Sequence, residues 1–325
     1  MKFSALATVA LSQVASAHYF FDKTFVDGVQ VGQPLEYIRK NTRSIAYMPT
    51  KWINSFDNLT PDDPDFRCNL GAFKSAKNTK VLEVKPGDKI GMGLGVQATM
   101  RHPGPCSAHM SKAPGSVQDY EGDGEWFKIH EEGICDKTKD IKGPAWCTWD
   151  KDRVEFTIPA GTPNGEYLIR SEHIGLHGAH DRQAEFYYGC LQVKVTGGGN
   201  GTPGPTYKFP GAYKKDDPEF NFSVWGGMKD YKMHGPRPWT GGNGGNGGND
   251  GSDGNSTTPI KEATSPATSS AASPVPVAPS ATASASPSPI SEDPTQLPPV
   301  HNSENCNGEK YKRGRRAFRD TILRA

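Results

Sequence analysis

Apolar and polar side chains alternate in short runs through the first two-thirds of the chain. A period of two marks strands with one face in a core. Val154-Glu155-Phe156-Thr157-Ile158 is one such run and Leu191-Gln192-Val193-Lys194-Val195 is another. Gly165-Glu166-Tyr167-Leu168-Ile169 is a third, entered through the turn-forming Thr162-Pro163-Asn164-Gly165. Lys85-Pro86-Gly87-Asp88 predicts a further turn between apolar runs. No long segment sustains a helical period. Many short strands joined by Gly/Pro/Asn turns and long loops predict an all-β fold, an antiparallel sandwich of the immunoglobulin or fibronectin kind.

The alternation stops after Trp239. Gly241 to Gly251 repeats Gly and Asn, and the chain up to residue 300 is rich in Ser, Thr, Ala and Pro. Residues 240–300 are therefore expected to be linker, with too few apolar side chains to offset the entropy of ordering. The basic tail, residues 301–325, holds Cys306, Tyr311 and Phe318, too few cysteines and aromatics for a small cellulose-binding module. Lys312-Arg313 and Arg315-Arg316 are candidate sites for a dibasic endoprotease, set against a plain solvated tail. At the other end, Lys2, the apolar run from Phe3 to Leu11 and Ala15-Ser16-Ala17 read as a signal peptide over residues 1–17. The expected product is a secreted, extracellular monomer whose mature chain starts at His18, with residues 18–239 as its folded domain. A net charge of +1 gives no field for nucleic acid, and no apolar run is long enough to span a membrane.

Removal of residues 1–17 changes the chemistry of His18. A terminal histidine carries two nitrogen donors, its α-amino group and ring Nδ1, and the amine titrates near neutrality. A third nitrogen would complete a planar T, an arrangement that suits Cu(II). His102 is the candidate, in the rigid turn Met100-Arg101-His102-Pro103-Gly104-Pro105. By chemistry alone, a solvated loop histidine fits that position as readily.

Several motifs add to this reading. His18-Tyr19-Phe20-Phe21 with Val26-Asp27-Gly28-Val29 resembles the mature start of auxiliary activity family 9, the fungal lytic polysaccharide monooxygenases. His102-Pro103-Gly104-Pro105 and Met110-Ser111-Lys112-Ala113-Pro114 resemble that family's histidine loop and the segment after it. Glu172-His173-Ile174-Gly175-Leu176-His177, Glu185-Phe186-Tyr187-Tyr188-Gly189-Cys190 and Phe209-Pro210-Gly211-Ala212-Tyr213 continue the match in order, to about residue 239. The resemblance implies one copper ion held by His18 and His102, with Tyr187 axial and His177 hydrogen-bonding oxygen species beside it. His173 and His180 are left as structural. Where the family has glutamine before the axial tyrosine, this chain has Glu185, expected to tune the site by accepting from His177 or Tyr187 or by carrying a proton.

The resemblance also pairs Cys68 with Cys190. Cys135 and Cys147 flank a short polar segment and are expected to form a local bridge, while the pairing of Cys106 and Cys306 is left open among about 15 connectivities. Asn58, Asn200, Asn221 and Asn255 begin glycosylation sequons. Sugars stack on exposed aromatics, and Tyr213 and Tyr19 are the candidates for contact with the polymer.

The activity implied is oxidative cleavage of a β-1,4-glucan, cellulose first, at C1 or C4. It requires O2 or H2O2 and an external electron donor, a small reductant or a redox enzyme. Two rivals are a hydrolase, for which no carboxylate pair stands out, and a non-catalytic relative that binds copper or cell-wall glycan.

Overall fold

The computed structural model describes residues 18–242. The expected signal peptide, nearly all of the linker and the basic tail with Cys306 lie outside the described residues. Among the described residues ten strands follow in chain order: β1 (Phe21–Val26), β2 (Val29–Val31), β3 (Leu82–Val84), β4 (Lys89–Leu94), β5 (Cys106–Lys112), β6 (Trp126–Glu132), β7 (Arg153–Thr157), β8 (Gly165–Gly175), β9 (Glu185–Val195) and β10 (Thr206–Tyr207). They make two sheets, a four-stranded one ordered β2-β1-β4-β7 and a six-stranded one ordered β10-β6-β5-β8-β9-β3. The three alternating runs fall in β7, β9 and β8. The expected turn before β4 is closed by Asp88 N donating to Lys85 O at 3.1 Å and Lys85 N donating to Asp88 Oδ2 at 2.7 Å. Asp27 and Gly28, at φ 49° and 79°, make the two-residue hairpin between β1 and β2. No helix among the described residues is long and apolar enough to cross a membrane.

One pairing differs from an all-antiparallel sandwich. The edge strand β3 runs parallel to β9, with Leu82 opposite Val193 and Val84 opposite Val195. Residues 32–81 connect β2 to β3, and a connection of that length can carry the chain back to enter β3 in the direction of β9.

The six-stranded sheet is buried on both faces. Tyr187, Leu191, Val193 and Val195 of β9 face the core between the sheets, with Ile90 and Met92 of β4 and Ile169 of β8. Phe186, Tyr188 and Cys190 point the other way, into a second core roofed by long loops that supply Trp52, Phe66, Phe209, Tyr213 and Phe220. Polar residues on that outer face are therefore interior. Gln192 donates to the carbonyls of Thr79 and Ala76 and accepts from Arg39 Nε at 2.8 Å. Glu172 accepts from Arg170 Nη1 at 2.5 Å, from Ser107 Oγ at 2.9 Å and from Tyr213 OH. Burial alone raises a carboxyl pKa; here the Arg170 charge and the neighbouring His109 and His234 reverse it, holding Glu172 well below the ordinary range. Sequence alone marks the period of such a strand but not the roof above it.

Cys68 is bonded to Cys190 and Cys135 to Cys147, while Cys106 is a buried free thiol. The first bridge fastens the outer loops to the middle of β9 across 122 residues, and the second closes a loop of 12. Chain-entropy arguments predict a loss of about 4–5 kcal/mol for the Cys68→Ser/Cys190→Ser pair and about 3 kcal/mol for Cys135→Ser/Cys147→Ser. Denaturant midpoints check this; an equal or larger loss from the short loop would contradict it.

Candidate metal centre

The loop before β5 is pressed against β8. Leu176 N donates to Pro103 O at 2.7 Å and Ile174 N to Pro105 O at 3.0 Å. At Gly104 a Cβ would lie 1.7 Å from the Ile174 carbonyl oxygen, so no other residue fits there without moving the strand. Gly175, at the end of β8, makes room for the next layer, since a Cβ there would crowd His102 Cβ at 3.2 Å and Glu185 Cβ at 3.5 Å. His102 is thereby set over the junction of β8 and β9. Gly175 is the strand partner of Glu185, and Tyr187 follows Glu185 by two residues on the same face.

His18 lies just before β1 and completes the group. The His18 and His102 rings are 5.8 Å apart with planes at 71°. Tyr187 lies 6.2 Å from His18 and 5.6 Å from His102, stacked at 14° on the latter. His177 also stacks on the His102 ring, at 4.6 Å and 20°. Four of the residues singled out from sequence therefore meet at one place. Glu185 is the fifth: its Oε2 accepts from Tyr187 OH at 2.7 Å and lies 3.8 Å from His102 Nε2, while its Oε1 lies 3.7 Å from His177 Nε2 and 3.9 Å from Lys51 Nζ. Lys51 carried no signal in the sequence. It is one lysine among many in a loop, and only folding brings it to the carboxylate.

The donors fit copper on their chemistry. An imidazole nitrogen about 2.0 Å from an ion puts its ring centre about 3 Å away, so two rings facing each other across the ion stand about 6 Å apart. The His18–His102 separation of 5.8 Å meets this condition. The Tyr187 phenol is pushed well above its ordinary pKa, first by burial and then by the Glu185 charge, so it stays protonated and is a weak donor. A second grouping shares His102: one donor atom each from His102, His177 and Glu185 lie within 4.8 Å of one another. Imidazole nitrogens favour copper more than a carboxylate does, and Glu185 is already engaged by Tyr187.

The expected polymer contacts need correction. Tyr213 is 3% exposed and its hydroxyl donates to Glu172 inside the outer core. Tyr19 is 1% exposed, packs on Tyr187 at 4.4 Å between ring centres, and hydrogen-bonds His173 Nδ1 through its hydroxyl. Neither presents a face to a polymer, because the roof of loops and the inner core bury them. His173, enclosed with Tyr19, has its pKa lowered to about 3, chiefly by burial. The most exposed aromatic among the large apolar side chains of the described residues is Trp225, 56% exposed, whose Nε1 donates to the His177 carbonyl at 3.0 Å. A tryptophan followed by Gly226-Gly227 in a loop was the available signal, since nothing in that sequence offers a partner to bury it. Asn221, one of the sequon residues, uses its side-chain amide to donate to the carbonyls of Lys215 and Asp217 at 2.8 and 2.9 Å.

The family model described as Auxiliary Activity family 9 (formerly GH61) matches residues 18–232. The chain is 67% identical over 243 residues to an AA9 family lytic polysaccharide monooxygenase D of Emericella nidulans, covering 75% of this chain and 84% of that protein. It is 61% identical over 270 residues to an AA9 family lytic polysaccharide monooxygenase A of Aspergillus fumigatus, covering 83% and 93%. Among solved structures, a cellulose-active polysaccharide monooxygenase from M. thermophila is similar with a TM-score of 0.56 at 28% identity, covering 69% of this chain and 99% of that one. The chain thus belongs to Auxiliary Activity family 9, whose members are lytic polysaccharide monooxygenases that break glycan chains by oxidation.

Proposed function

We propose that this chain is exported, trimmed after Ala17, and then cleaves β-1,4-glucan, cellulose first, by copper-dependent oxidation at C1 or C4 of a glucosyl unit. The meeting of His18, His102 and Tyr187 carries the reading: two imidazoles about one point beside a protonated phenol are a donor set for copper. Trimming adds the His18 α-amino nitrogen to that set. The cellulose-active relative from M. thermophila supports the choice of substrate.

Copper supplies the redox chemistry, in which an external donor's electrons let dioxygen or hydrogen peroxide oxidise a glucosyl C–H bond to C–OH. The carbon bearing the new hydroxyl then expels the glycosidic oxygen, leaving a lactone at C1 or a ketone at C4. Tyr187, buried against Tyr19, closes the inner side of the donor group to water. His177 is more open, with 37% of its side chain exposed, and meets an oxidant arriving from solvent. Glu185 positions Tyr187 by accepting a hydrogen bond from its hydroxyl, and its other oxygen, 3.7 Å from His177 Nε2, helps to orient that ring. Trp225 offers a flat apolar face beside the His177 loop for a sugar ring.

Incubation with copper, ascorbate and amorphous cellulose should yield aldonic acids or C4-ketoaldoses by mass spectrometry; a product mixture of unmodified oligosaccharides alone would sink the reading. His102→Ala should lose both the Cu(II) spin-resonance signal and the oxidised products. Glu185→Gln, which installs the amide usual in the family, should keep both the copper signal and the oxidised products, because the amide oxygen still accepts from Tyr187 OH. Loss of oxidised products in Glu185→Gln with the copper signal intact would show that the carboxylate does more than hold Tyr187. Trp225→Ala should weaken cellulose binding about 3–10-fold, on the order of 1 kcal/mol, with the copper signal intact; unaltered binding isotherms would rule out the stacking face.

A further inference from the structure

A second set of ligand-type side chains lies away from the His18–His102 pair. Cys106 begins β5 and Glu132 ends β6, and the two are direct antiparallel partners. His130 precedes Glu132 by two residues on β6, so the pleat puts it on the same face. Cys106 Sγ–H donates to Glu132 Oε2 at 3.7 Å, and His130 Nε2 stands 3.5 Å from Glu132 Oε1. One ligand atom from each of the three residues lies within 4.8 Å of the others.

These spacings match an ion-binding tripod. Around a tetrahedral ion with sulfur at about 2.3 Å and nitrogen or oxygen at about 2.0 Å, donor atoms stand about 3.3–3.6 Å apart. The spacings, 3.7 Å from Cys106 Sγ to Glu132 Oε2 and 3.5 Å from His130 Nε2 to Glu132 Oε1, are close to these, and a turn of the carboxylate lets one oxygen serve both. His130 Nε2 is buried and makes no hydrogen bond, a cost that an ion would remove. Cys106 is 1% exposed, outside both disulfides, and Glu132 is 41% exposed at its side chain, which leaves an ion a route in from solvent.

The charges agree as well. A thiolate, a carboxylate and a neutral imidazole sum to −2, which a divalent ion cancels and a monovalent one halves. The buried group His109, Glu172 and His234 is equally close-set, yet Arg170 already neutralises its carboxylate and a further cation would be repelled. Sulfur in the set selects soft ions.

We propose that Cys106, His130 and Glu132 form a second metal site, separate from the histidine pair, for a thiophilic tetrahedral ion, Zn(II) or Cu(I), with water as fourth ligand. On binding, the Cys106 S–H bond breaks, the proton leaves to solvent and the sulfur electron pair goes to the metal. The ion ties β5 to β6 four residues beyond His102.

The test uses the full secreted chain, stripped of metal and carrying Cys306→Ser so that Cys106 is its one free thiol. Titration with Co(II) should raise a near-ultraviolet sulfur-to-cobalt charge-transfer band, which nitrogen donors do not produce, saturating at one equivalent. His130→Ala and Glu132→Gln should each weaken that titration about tenfold or more, with thermal midpoint and Cu(II) spin-resonance signal unchanged, and Cys106→Ala should abolish the band. Displacement of cobalt by one equivalent of Zn(II) assigns the site to zinc; displacement by buffered Cu(I) and not by Zn(II) assigns it to copper(I). No band in the parent chain, or an equal titration in His130→Ala and Glu132→Gln, overturns the proposal. The result does not depend on polysaccharide cleavage.

Discussion

The contact between Gly104 and the backbone of β8 sets the positions of everything around the histidine pair. With a Cβ landing 1.7 Å from the Ile174 carbonyl oxygen, only glycine lets the His102 loop lie flat on the strand. The hydrogen bonds from Ile174 and Leu176 to Pro105 and Pro103 then continue the sheet beyond the start of β5. His102 inherits the rigidity of a sheet rather than the mobility of a loop, and the prolines on either side of Gly104 restrict the backbone further. His18 approaches from the other sheet, just before β1, so the donor group bridges the two layers of the sandwich at one end.

Burial on both sides of the six-stranded sheet gives that arrangement its stiffness. β9 sends Tyr187 inward and Phe186 and Tyr188 outward, and both sets are enclosed. Tyr187 therefore cannot turn away from the histidines, and its hydroxyl, cut off from water, must find a partner in the protein. Glu185, two residues earlier on the same face, is that partner. Replacing the amide usual at this position by a carboxylate keeps the acceptor for Tyr187 and places negative charge among His102, His177 and Lys51. Any ion and any proton arriving at the site meets that charge.

The outer core shows how far polar residues can be taken inside when each has a partner. Arg170 and Glu172 are fully buried as a pair, and Ser107, His109 and Tyr213 close around the carboxylate. Removing one member would strand the others, so such a group holds the roof of loops in a single position. Trp225 belongs to the same roof, yet lies at its rim, where the side chain stays in solvent next to the His177 carbonyl.

Local pattern determined a good deal. The strands β7, β8 and β9, the turn before β4 and the β-sandwich class follow from period-two alternation and turn residues, which act over a few neighbours. His18 and His102 were legible from donor chemistry, which belongs to a residue wherever it sits, whereas Tyr187, His177 and Glu185 were legible only through the resemblance of their motifs to the family. What folding alone decided is which surfaces face water and which distant groups touch. Tyr213 and Tyr19 became core residues, Trp225 remained exposed, β3 joined β9 in parallel, and Lys51 reached Glu185. Cys106, His130 and Glu132 became neighbours because β5 and β6 pair in one register. Exposure and contact depend on segments far apart in the chain, and alternation along a strand records its own two faces without recording what covers them.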